Sequence, residues 1–328
     1  MKILHIFTGM NYVYTGALVN MFYNYIKGYE QAFLICDKEK NLPQEIVKLK
    51  REGINIHCLK FGNPRLQVFE IIRQQKNFDV CIYHFLPNDI LLHIFYKIRP
   101  SYLKNVVWRI WGADLYNWKK GGIQGKLLNG FRAETRKKIP YVIAEPMDIP
   151  EYKRQFGENV KFLLGPDPKG YDEELLEKYF CEKNEKTIWI LVGHSAVKTL
   201  HHKDVLRQLS KYKTYNIKII LPLNYGDAQY ADEIYNYAVS LFPANMIECL
   251  TKRMSMEEYI SLLWKCDILI IHSERQIAMG NIIMMMYMKK KIFLLKNSIM
   301  YKYYKEKEHL EIYESGEIGK ISYDEFIH

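Results

Sequence analysis

The chain has 328 residues, more than one ordinary domain holds, so two domains of about 150 residues each are expected. Its 48% apolar and 14% aromatic content is ample for two hydrophobic cores and excludes a disordered chain. The 47 Lys and Arg residues against 37 Asp and Glu leave a net charge of +10, which predicts anionic partners: nucleotide phosphates, acidic lipid head groups or nucleic acid.

The first half alternates short apolar runs with amphipathic segments. Strands and helices that alternate at this spacing predict βαβ units on a parallel sheet. The strands are predicted at 2–7, 31–36, 54–59, 80–83, 105–111 and 140–144, the last of them closing this half, and the helices at 17–26, 42–51, 66–74 and 91–98.

Polar residues follow two of these strands. His84 and Asn88-Asp89 come after 80–83, where a lone histidine is more often a core or loop residue than a catalyst. Gly112 and Asp114 come directly after 105–111. Because α/β sheets bind ligands at the carboxyl ends of their strands, Asp114 is a candidate base for an attacking hydroxyl. The alternative is that Asp114 caps a turn.

A basic and aromatic stretch covers residues 97–138. Eleven Lys and Arg residues lie there, opposed only by Asp114 and Glu134 and interleaved with Trp108, Trp111, Trp118 and Phe131. Such a mixture suits an interface with anionic lipid. Nucleic-acid binding is the competing interpretation, but no nucleic-acid motif accompanies the charge, and a solvated helix face is the third.

Prolines and glycines cluster between residues 146 and 170, which indicates an interdomain connection. We expect a first domain at 1–165, a linker at 166–186, and a second domain with a polar tail at 187–328. Six cysteines without a C-x-x-C pair predict free thiols in a reducing cytoplasm. No apolar run reaches the roughly 18 residues of a membrane span, so peripheral contact with the inner face of the cell membrane is expected.

The second half repeats the α/β pattern. Strands are predicted at 187–192, 217–221, 246–249, 267–271 and 290–295, with helices at 205–209, 229–241, 256–265 and from 279, and a polar tail from 301. Gly193-His194-Ser195 after the first of these strands, before His201-His202 at a helix entry, is typical of a diphosphate-binding turn. Metal binding by these histidines is disfavoured, because they lack an HExxH-like spacing.

Residues 251–281 hold the clearest local signals. Ser255 and Glu258 form a capping box that predicts a helix start near Met256. The buried strand 267–271 then leads to the polar loop His272–Asn281, where chemistry is expected.

The sequence resembles the bacterial 4-acetamido-4,6-dideoxygalactose (Fuc4NAc) transferases, which form glycosyltransferase family 56. The resemblance covers about residues 105–295 and rests on motifs in matching order: Trp111-Gly-Ala-Asp-Leu-Tyr116, Leu191-Val-Gly-His-Ser195, His201-His202, Leu221-Pro-Leu-Asn-Tyr-Gly226, and Arg275-Gln276 with Gly280. One departure is His194, where family members tend to carry Asn.

The resemblance implies a GT-B fold with two Rossmann-like domains facing a deep cleft, in which 1–165 faces the acceptor and the membrane and 187–328 binds the nucleotide sugar. It also implies a dTDP-sugar donor, an acceptor linked to undecaprenyl diphosphate, no further cofactor and no metal. Gly193, His194 and Ser195 would hold the diphosphate and Arg275 would neutralise the leaving group. Further donor contacts would come from Asn224, Tyr225, Gln276, Gly280 and Asn281, and Asp114 would act as base.

Two rival classes remain open at this stage. One is another enzyme on the same fold, either a different nucleotide-sugar transferase of capsule or lipopolysaccharide assembly or a nucleotide-sugar epimerase. The other is a non-catalytic protein whose basic surface binds membrane or nucleic acid. An epimerase converts the nucleotide sugar when no acceptor is present, and a non-catalytic binding protein binds no nucleotide. Incubation with the nucleotide sugar alone and a nucleotide-binding measurement therefore distinguish a transferase, an epimerase and a binding protein.

Overall fold

The computed structural model describes residues 1–8, 12–37, 42–59, 64–87, 90–119, 121–163, 172–183, 185–252 and 254–328, the side chains of 12–14, 64–66 and 124 excepted. Two compact units divide the chain, Met1–Pro168 and Lys169–His328. Each is a Rossmann-like α/β unit and is described by itself.

The first unit is built on a seven-stranded parallel sheet in the order β3-β2-β1-β4-β5-β6-β7. Its strands are β1 Lys2–Phe7, β2 Glu30–Ile35, β3 Ile56–Cys58, β4 Val80–His84, β5 Val106–Arg109, β6 Tyr141–Ile143 and β7 Lys161–Leu163. The chain moves outward from β1 to β3 and then returns to the other side of β1. The reversal creates a switch point between β1 and β4, where α/β sheets bind ligands.

Helices cover both faces of this sheet. They are α1 Tyr12–Tyr25, α2 Gln44–Arg51, α3 Pro64–Gln75, α4 Ile90–Ile98, α5 Ala113–Tyr116, α6 Gly122–Lys138 and α7 Ile149–Phe156. One apolar cluster contains Trp108, Tyr83 and Leu4, and a second on the other face contains Phe22, Phe33 and Leu18. Because both faces are covered, the strands are mostly apolar, and the polar side chains of His5, His84 and Arg109 on them are also buried.

The prediction that 140–144 is the last strand of this half is wrong. Strand β7 pairs in parallel with β6, from Tyr141↔Lys161 to Ile143↔Leu163. The segment rich in proline and glycine is also more than an interdomain connection, because it contains the start of helix α7. Pro150 lies in the first turn of α7, where a backbone N–H would have no partner within the helix. Strand β7 was missed because its three residues are too short for a periodic signal.

The second unit has a six-stranded parallel sheet in the order β10-β9-β8-β11-β12-β13. Its strands are β8 Ile188–Val192, β9 Ile217–Pro222, β10 Ile247–Leu250, β11 Ile268–Ile271, β12 Lys291–Leu294 and β13 Tyr313–Glu314. The same reversal occurs here, and it places the switch point between β8 and β11.

The helices of the second unit are α8 Glu173–Lys178, α9 His202–Leu209, α10 Ala228–Leu241, α11 Met256–Lys265, α12 Met279–Tyr287, α13 Ile299–Tyr301 and α14 Tyr323–Ile327. Helix α8 lies within the expected linker 166–186 and contacts α11, because Trp264 Nε1 donates to the carbonyl of Leu176 at 2.9 Å. The capping box at the start of α11 is confirmed, with Glu258 N donating to Ser255 Oγ at 3.2 Å.

The polar tail from residue 301 is ordered into the sheet. Strand β13 pairs with β12, and a second capping box, Ser322 with Glu325, starts helix α14. The side chain of Phe326 is fully buried in the core of this unit. A few well-placed aromatic residues therefore attach a segment whose overall composition is polar. All six cysteines are free thiols.

Candidate functional site

The switch point of the second unit brings together two of the predicted loops. Strands β8 and β11 are neighbours, with Val192 opposite Ile270. The loop that starts at Gly193 therefore lies beside the loop that starts at His272. Gly193 N donates to the carbonyl of Ile270 at 2.9 Å. Its N–H is thus occupied within the sheet, so Gly193 does not supply the backbone donor that the resemblance implied.

The role of Gly193 is to leave space. Its φ of +72° is left-handed, and a Cβ built there would lie 2.5 Å from His202 Nε2. Helix α9 therefore begins directly against the end of β8. Unbonded backbone N–H groups at a helix N-terminus attract anions.

His202, the first residue of α9, belongs to the helix entry that the sequence singled out, but it was not predicted as a donor-site residue. Its side chain is fully buried, and its Nδ1 lies 3.3 Å from the hydroxyl of Tyr230. Burial lowers the pKa of His202 to about 4, so the ring is neutral at pH 7. The ring can donate to the hydroxyl of Tyr230 or accept from it, according to its tautomer. His202 Nε2 has no hydrogen-bond partner among the described residues and is the donor to a ligand when it carries the proton.

His194 lies beside the same glycine. Its Nε2 is 3.3 Å from Ser195 Oγ and its ring centroid is 5.7 Å from that of Tyr225. Burial, followed by the charges of His202 and Arg275, lowers the pKa of His194 to about 3. The electrostatic effect of Arg275 shows that the structure brings this arginine close to the loop after β8.

Ser273 completes the group and was also missed. Its side chain is fully buried after β11, and within the described part of the chain its Oγ has no hydrogen-bond partner. The same holds for His194 Nδ1. Buried polar atoms without partners are rare and costly in native proteins, each by about 1–3 kcal/mol. Three of them at the ends of two adjacent strands indicate a site for a polar ligand.

The loop after β9 is tied to the loop after β8. Ala196 N donates to Tyr225 O at 2.8 Å, and Asp227 N donates to Ala196 O at 2.9 Å. Gly226 has a φ of +110°, and a Cβ there would lie 2.5 Å from Ala196 O, so only glycine allows this approach. Asn224 and the 40% exposed Tyr225 stand on this rigid connection at the ligand edge.

The remaining predicted residues lie at the start of α12. Ala278 precedes this helix with a φ of +60°, and Gly280 and Asn281 form its first turn. Asn281 Nδ2 donates to the hydroxyl of Tyr259 at 2.8 Å, so its side chain joins α12 to α11. Gln276 is half-buried in the preceding loop. Any contact of Asn281 with a ligand would come from its backbone.

Asp114 lies in the first unit and is only 1% exposed. Its carboxylate accepts hydrogen bonds from Trp108 Nε1 at 2.6 Å, Trp111 N at 2.9 Å and Leu86 N at 3.1 Å. Burial raises its pKa, and these donors oppose the shift. This geometry favours the second interpretation of the sequence, in which Asp114 holds turns in place. Here it holds the loops after both β4 and β5.

The basic stretch 97–138 divides between core and surface. The side chains of Arg132 and Arg136 are buried, and the guanidinium of Arg136 lies 5.4 Å from the Trp108 ring and 5.0 Å from the Trp118 ring. Trp108 and Trp118 are themselves in the core. These residues therefore do not form the aromatic and basic surface that the sequence suggested.

No group of three or more His, Cys, Asp or Glu residues with the geometry of a metal site occurs in the described part of the chain. Among the helices of that part, none combines the length and hydropathy that crossing a bilayer requires.

A family model described as "4-alpha-L-fucosyltransferase glycosyl transferase group 56" matches residues 30–320. The chain belongs to glycosyltransferase family 56. It is therefore a nucleotide-sugar-dependent glycosyltransferase. The first hundred residues, which resembled the family in pattern only, lie largely inside the match.

Solved structures confirm the GT-B fold of this family 56 protein. HepE from Anabaena, in complex with UDP and glucose, aligns with a TM-score of 0.67 at 13% identity over 97% of this chain and 88% of HepE. A glycosyltransferase from Rickettsia africae aligns with a TM-score of 0.66 at 15% identity over 97% and 86%. The UDP-GlcNAc 2-epimerase of Neisseria meningitidis, bound to UDP-GlcNAc, aligns with a TM-score of 0.53 at 11% identity over 98% and 95%.

Proposed function

We propose that this family 56 protein transfers a Fuc4NAc-type sugar from a dTDP-sugar to an oligosaccharide on undecaprenyl diphosphate, in the assembly of a bacterial surface polysaccharide. The observation that carries the donor site is the group of partnerless buried atoms after β8 and β11: His202 Nε2, Ser273 Oγ and His194 Nδ1. His202 Nε2 and a serine hydroxyl can donate to phosphate oxygens. The complexes of HepE with UDP and glucose support a nucleotide diphosphate on this fold.

The chemistry needs charge stabilisation at the leaving group. The hydroxyl oxygen of the acceptor bonds to the anomeric carbon while the bond from that carbon to the phosphate oxygen breaks. The dTDP leaves with the electron pair of that bond, and the hydroxyl proton passes to one of its phosphate oxygens. We assign Arg275 and the N-termini of α9 and α12 to this charge, since preorganised donors act strongly at buried sites. Tyr225, Asn224 and Gln276 would line the donor pocket.

Thermal unfolding with a panel of dTDP, UDP, GDP and ADP tests the donor site, with CMP as the control ligand. A nucleotide at about 100 times its dissociation constant stabilises the fold by about 2.7 kcal/mol. We expect the largest shift with dTDP. A preference for UDP keeps the site and changes the donor, whereas no shift with any nucleotide contradicts the diphosphate site.

A matched pair of serine variants tests whether the nucleotide that causes the thermal shift binds at Ser273. Ser273→Ala removes the partnerless hydroxyl, and the nucleotide-induced shift should fall. Ser261→Ala removes a hydroxyl of the same unit that donates to Tyr179 O at 3.1 Å, away from the strand ends, and should leave the shift unchanged. Equal shifts in the two variants would contradict the assignment of Ser273.

An epimerase is the second candidate, because epimerases share this fold. Incubation of the protein with the sugar nucleotide alone separates the two activities. A transferase leaves the sugar configuration unchanged without an acceptor, apart from slow hydrolysis, whereas an epimerase converts it.

We further propose that α6 docks on anionic lipid. Ile123 is 84% exposed and Leu127 is 71% exposed, and residues four apart share a helix face. Lys119 and Lys126 are exposed beside them. Each inserted aliphatic side chain contributes about 1.5–3 kcal/mol and each lysine near the surface about 1 kcal/mol.

Sedimentation with anionic phosphatidylglycerol vesicles tests the docking surface. The double variant Ile123→Glu with Leu127→Glu should abolish binding at physiological salt. Phe69→Glu, which changes another apolar side chain of the first unit that is 65% exposed, should bind like the unaltered protein. Loss of binding in both variants, or in neither, would contradict the role of α6.

A further inference from the structure

A second polar cluster lies at the switch point of the first unit. His84 is the last residue of β4 and pairs in register with Phe7 of β1 and Arg109 of β5. Its side chain is fully buried, as is that of His5 two residues earlier on β1. The donor site of the second unit makes no use of this cluster.

A chain of hydrogen bonds determines where the protons lie. Gln31 Nε2 donates to Phe22 O at 3.1 Å and to Ile26 O at 2.7 Å, so Gln31 Oε1 is left to accept from His5 Nε2 at 3.2 Å. A neutral His5 then has a lone pair on Nδ1. His84 Nε2 lies 3.1 Å from that atom and must donate to it.

His84 Nδ1 is therefore an unprotonated acceptor. Both rings are neutral at pH 7. Burial lowers the pKa of His5 to about 4, although the hydrogen bond to Gln31 opposes this shift. Burial, with the charges of His5 and Arg109, keeps the pKa of His84 well below its usual value. Within the described residues nothing donates to His84 Nδ1. Among the described residues, a buried lone pair at a strand end thus has no donor.

The backbone beyond His84 is strained in a way that maintains this arrangement. Phe85 has a φ of +75°, a left-handed conformation that is unfavourable for a residue with a side chain. The loop is held by Thr8 Oγ1, which donates to Phe85 O at 2.6 Å, and by the bond from Leu86 N to Asp114. Strain that its surroundings maintain is typical of functional sites.

A further buried polar atom follows the neighbouring strand β5. Trp111 Nε1 is buried and, in the described part of the chain, lacks an acceptor. The Arg109 guanidinium carbon lies 5.3 Å from the Trp111 ring and 5.9 Å from the Phe22 ring, and the Phe22 ring lies 5.0 Å from that of His84. Arg109 and Phe22 thus connect Trp111 to His84 through a continuous series of contacts.

We propose that this cluster binds a hydroxyl group of the sugar acceptor, which donates to His84 Nδ1 and accepts from Trp111 Nε1. A hydroxyl fits because it both donates and accepts, whereas an ionised phosphate oxygen would be repelled by the lone pair of Nδ1. Asp114 is a positioning residue for this site, because it holds the loop after His84. The inference rests on the proposed transferase function only for the identity of the ligand.

Nitrogen NMR of the whole protein labelled at histidine tests the site without activity. We expect His84 Nδ1 to be unprotonated, and its signal to move when octyl glucoside or octyl N-acetylglucosaminide is added with dTDP, but not with inorganic diphosphate. His93 is the internal control: it is equally buried, its Nε2 lies 3.0 Å from Pro87 O, and its Nδ1 is also partnerless among the described atoms. Its signal should not move.

Kinetics on membrane vesicles that carry the lipid-linked acceptor provide the second readout. His84→Gln places an amide where Nε2 donates to His5 and removes the Nδ1 lone pair, so the acceptor KM should rise or kcat fall by about tenfold or more. The dTDP-induced thermal shift should stay unchanged. His93→Gln should keep both values near those of the unaltered protein.

If His84→Gln fails to fold, Trp111→Phe removes only the N–H and should still weaken acceptor use. A protonated His84 Nδ1, a signal unmoved by every glycoside, or unaltered acceptor kinetics in the His84 and Trp111 variants would overturn the proposal. If the unaltered protein transfers no sugar, the proposed function fails, and the NMR measurement still decides the hydroxyl site.

Discussion

Replacement of Gly193 by alanine tests the geometry of the donor site most directly. The new methyl group would occupy a left-handed position and lie 2.5 Å from His202 Nε2 and 3.3 Å from Leu200 Cδ1. The ring of His202 must then turn away and lose its contact with the Tyr230 hydroxyl. The site therefore loses one of its partnerless donors together with the space that Gly193 leaves.

The magnitude follows from two contributions. The left-handed conformation costs alanine about 1–2 kcal/mol, and the lost hydrogen bond of His202 costs about 1 kcal/mol. A total of about 2–3 kcal/mol lowers the unfolding temperature of a unit of this size by roughly 4–12 °C. The stabilisation by dTDP should fall as well, because His202 no longer points at the ligand.

Gly157→Ala is the matched control for the backbone. Gly157 has a similar φ of +89°, but a Cβ there meets no atom within 4 Å. Because the ψ of Gly157 is −172°, outside the αL region, this variant should show backbone strain alone, about 1–3 kcal/mol, with unchanged nucleotide binding. Differential scanning fluorimetry with and without dTDP measures both effects. A Gly193→Ala protein with the thermal stability and dTDP response of the Gly157→Ala control would refute the steric argument.

Three further predictions concern charged side chains. Arg275→Ala should lower turnover at least tenfold, about 1.4 kcal/mol of transition-state stabilisation, in a radiolabelled transfer assay, and a smaller loss would contradict its leaving-group role. Asp114→Asn should lower the free energy of unfolding by about 3–4 kcal/mol, because an amide NH₂ would face N–H donors and the buried Arg136 would lose a nearby negative charge. Near-normal stability with abolished turnover would instead restore Asp114 as a base. Burial raises the pKa of Asp148 to about 7, whereas in the unfolded chain this aspartate has an ordinary pKa near 4. Between these two values the unfolded chain has already lost the proton that the folded protein still holds. The free energy of unfolding should therefore fall by about 4 kcal/mol as pH rises from about 4 to about 7. In Asp148→Asn, urea unfolding at several pH values should show that loss removed, and an unchanged pH profile would contradict it.

Local signals in the sequence predicted the elements well where they were strong. The Ser255 capping box, the apolar strand after it and the entry to α12 all lie where the pattern indicated. The alternation of strands and helices indicated two parallel sheets, and the GT-B fold is confirmed. These features depend on near neighbours in the chain, which is why a single sequence carries them.

The sequence predicted the site residues less completely than the fold. His194, Tyr225 and Arg275 were expected to act together, and the structure does place them near one another. His202 lay in the His201-His202 motif and Ser273 in the loop after β11, but neither was predicted as a site residue, because their importance lies in polar atoms that have no partner among the described residues. Asp114 had the sequence context of a catalyst. Its carboxylate instead accepts hydrogen bonds from three separate positions in the chain, which the sequence could not show.

The sequence by itself determined the class of this protein, its alternating elements and the loops that follow its strands. Only the tertiary structure decided that β8 lies between β9 and β11, that Arg136 is buried beside two tryptophans, and that His84 Nδ1 has no donor among the described residues. Strand order and burial depend on contacts between residues far apart in the chain, often by 80 positions or so in the first sheet. A proton position within a chain of hydrogen bonds depends on every member of that chain, and Gln31, His5 and His84 meet only once the sheet has formed.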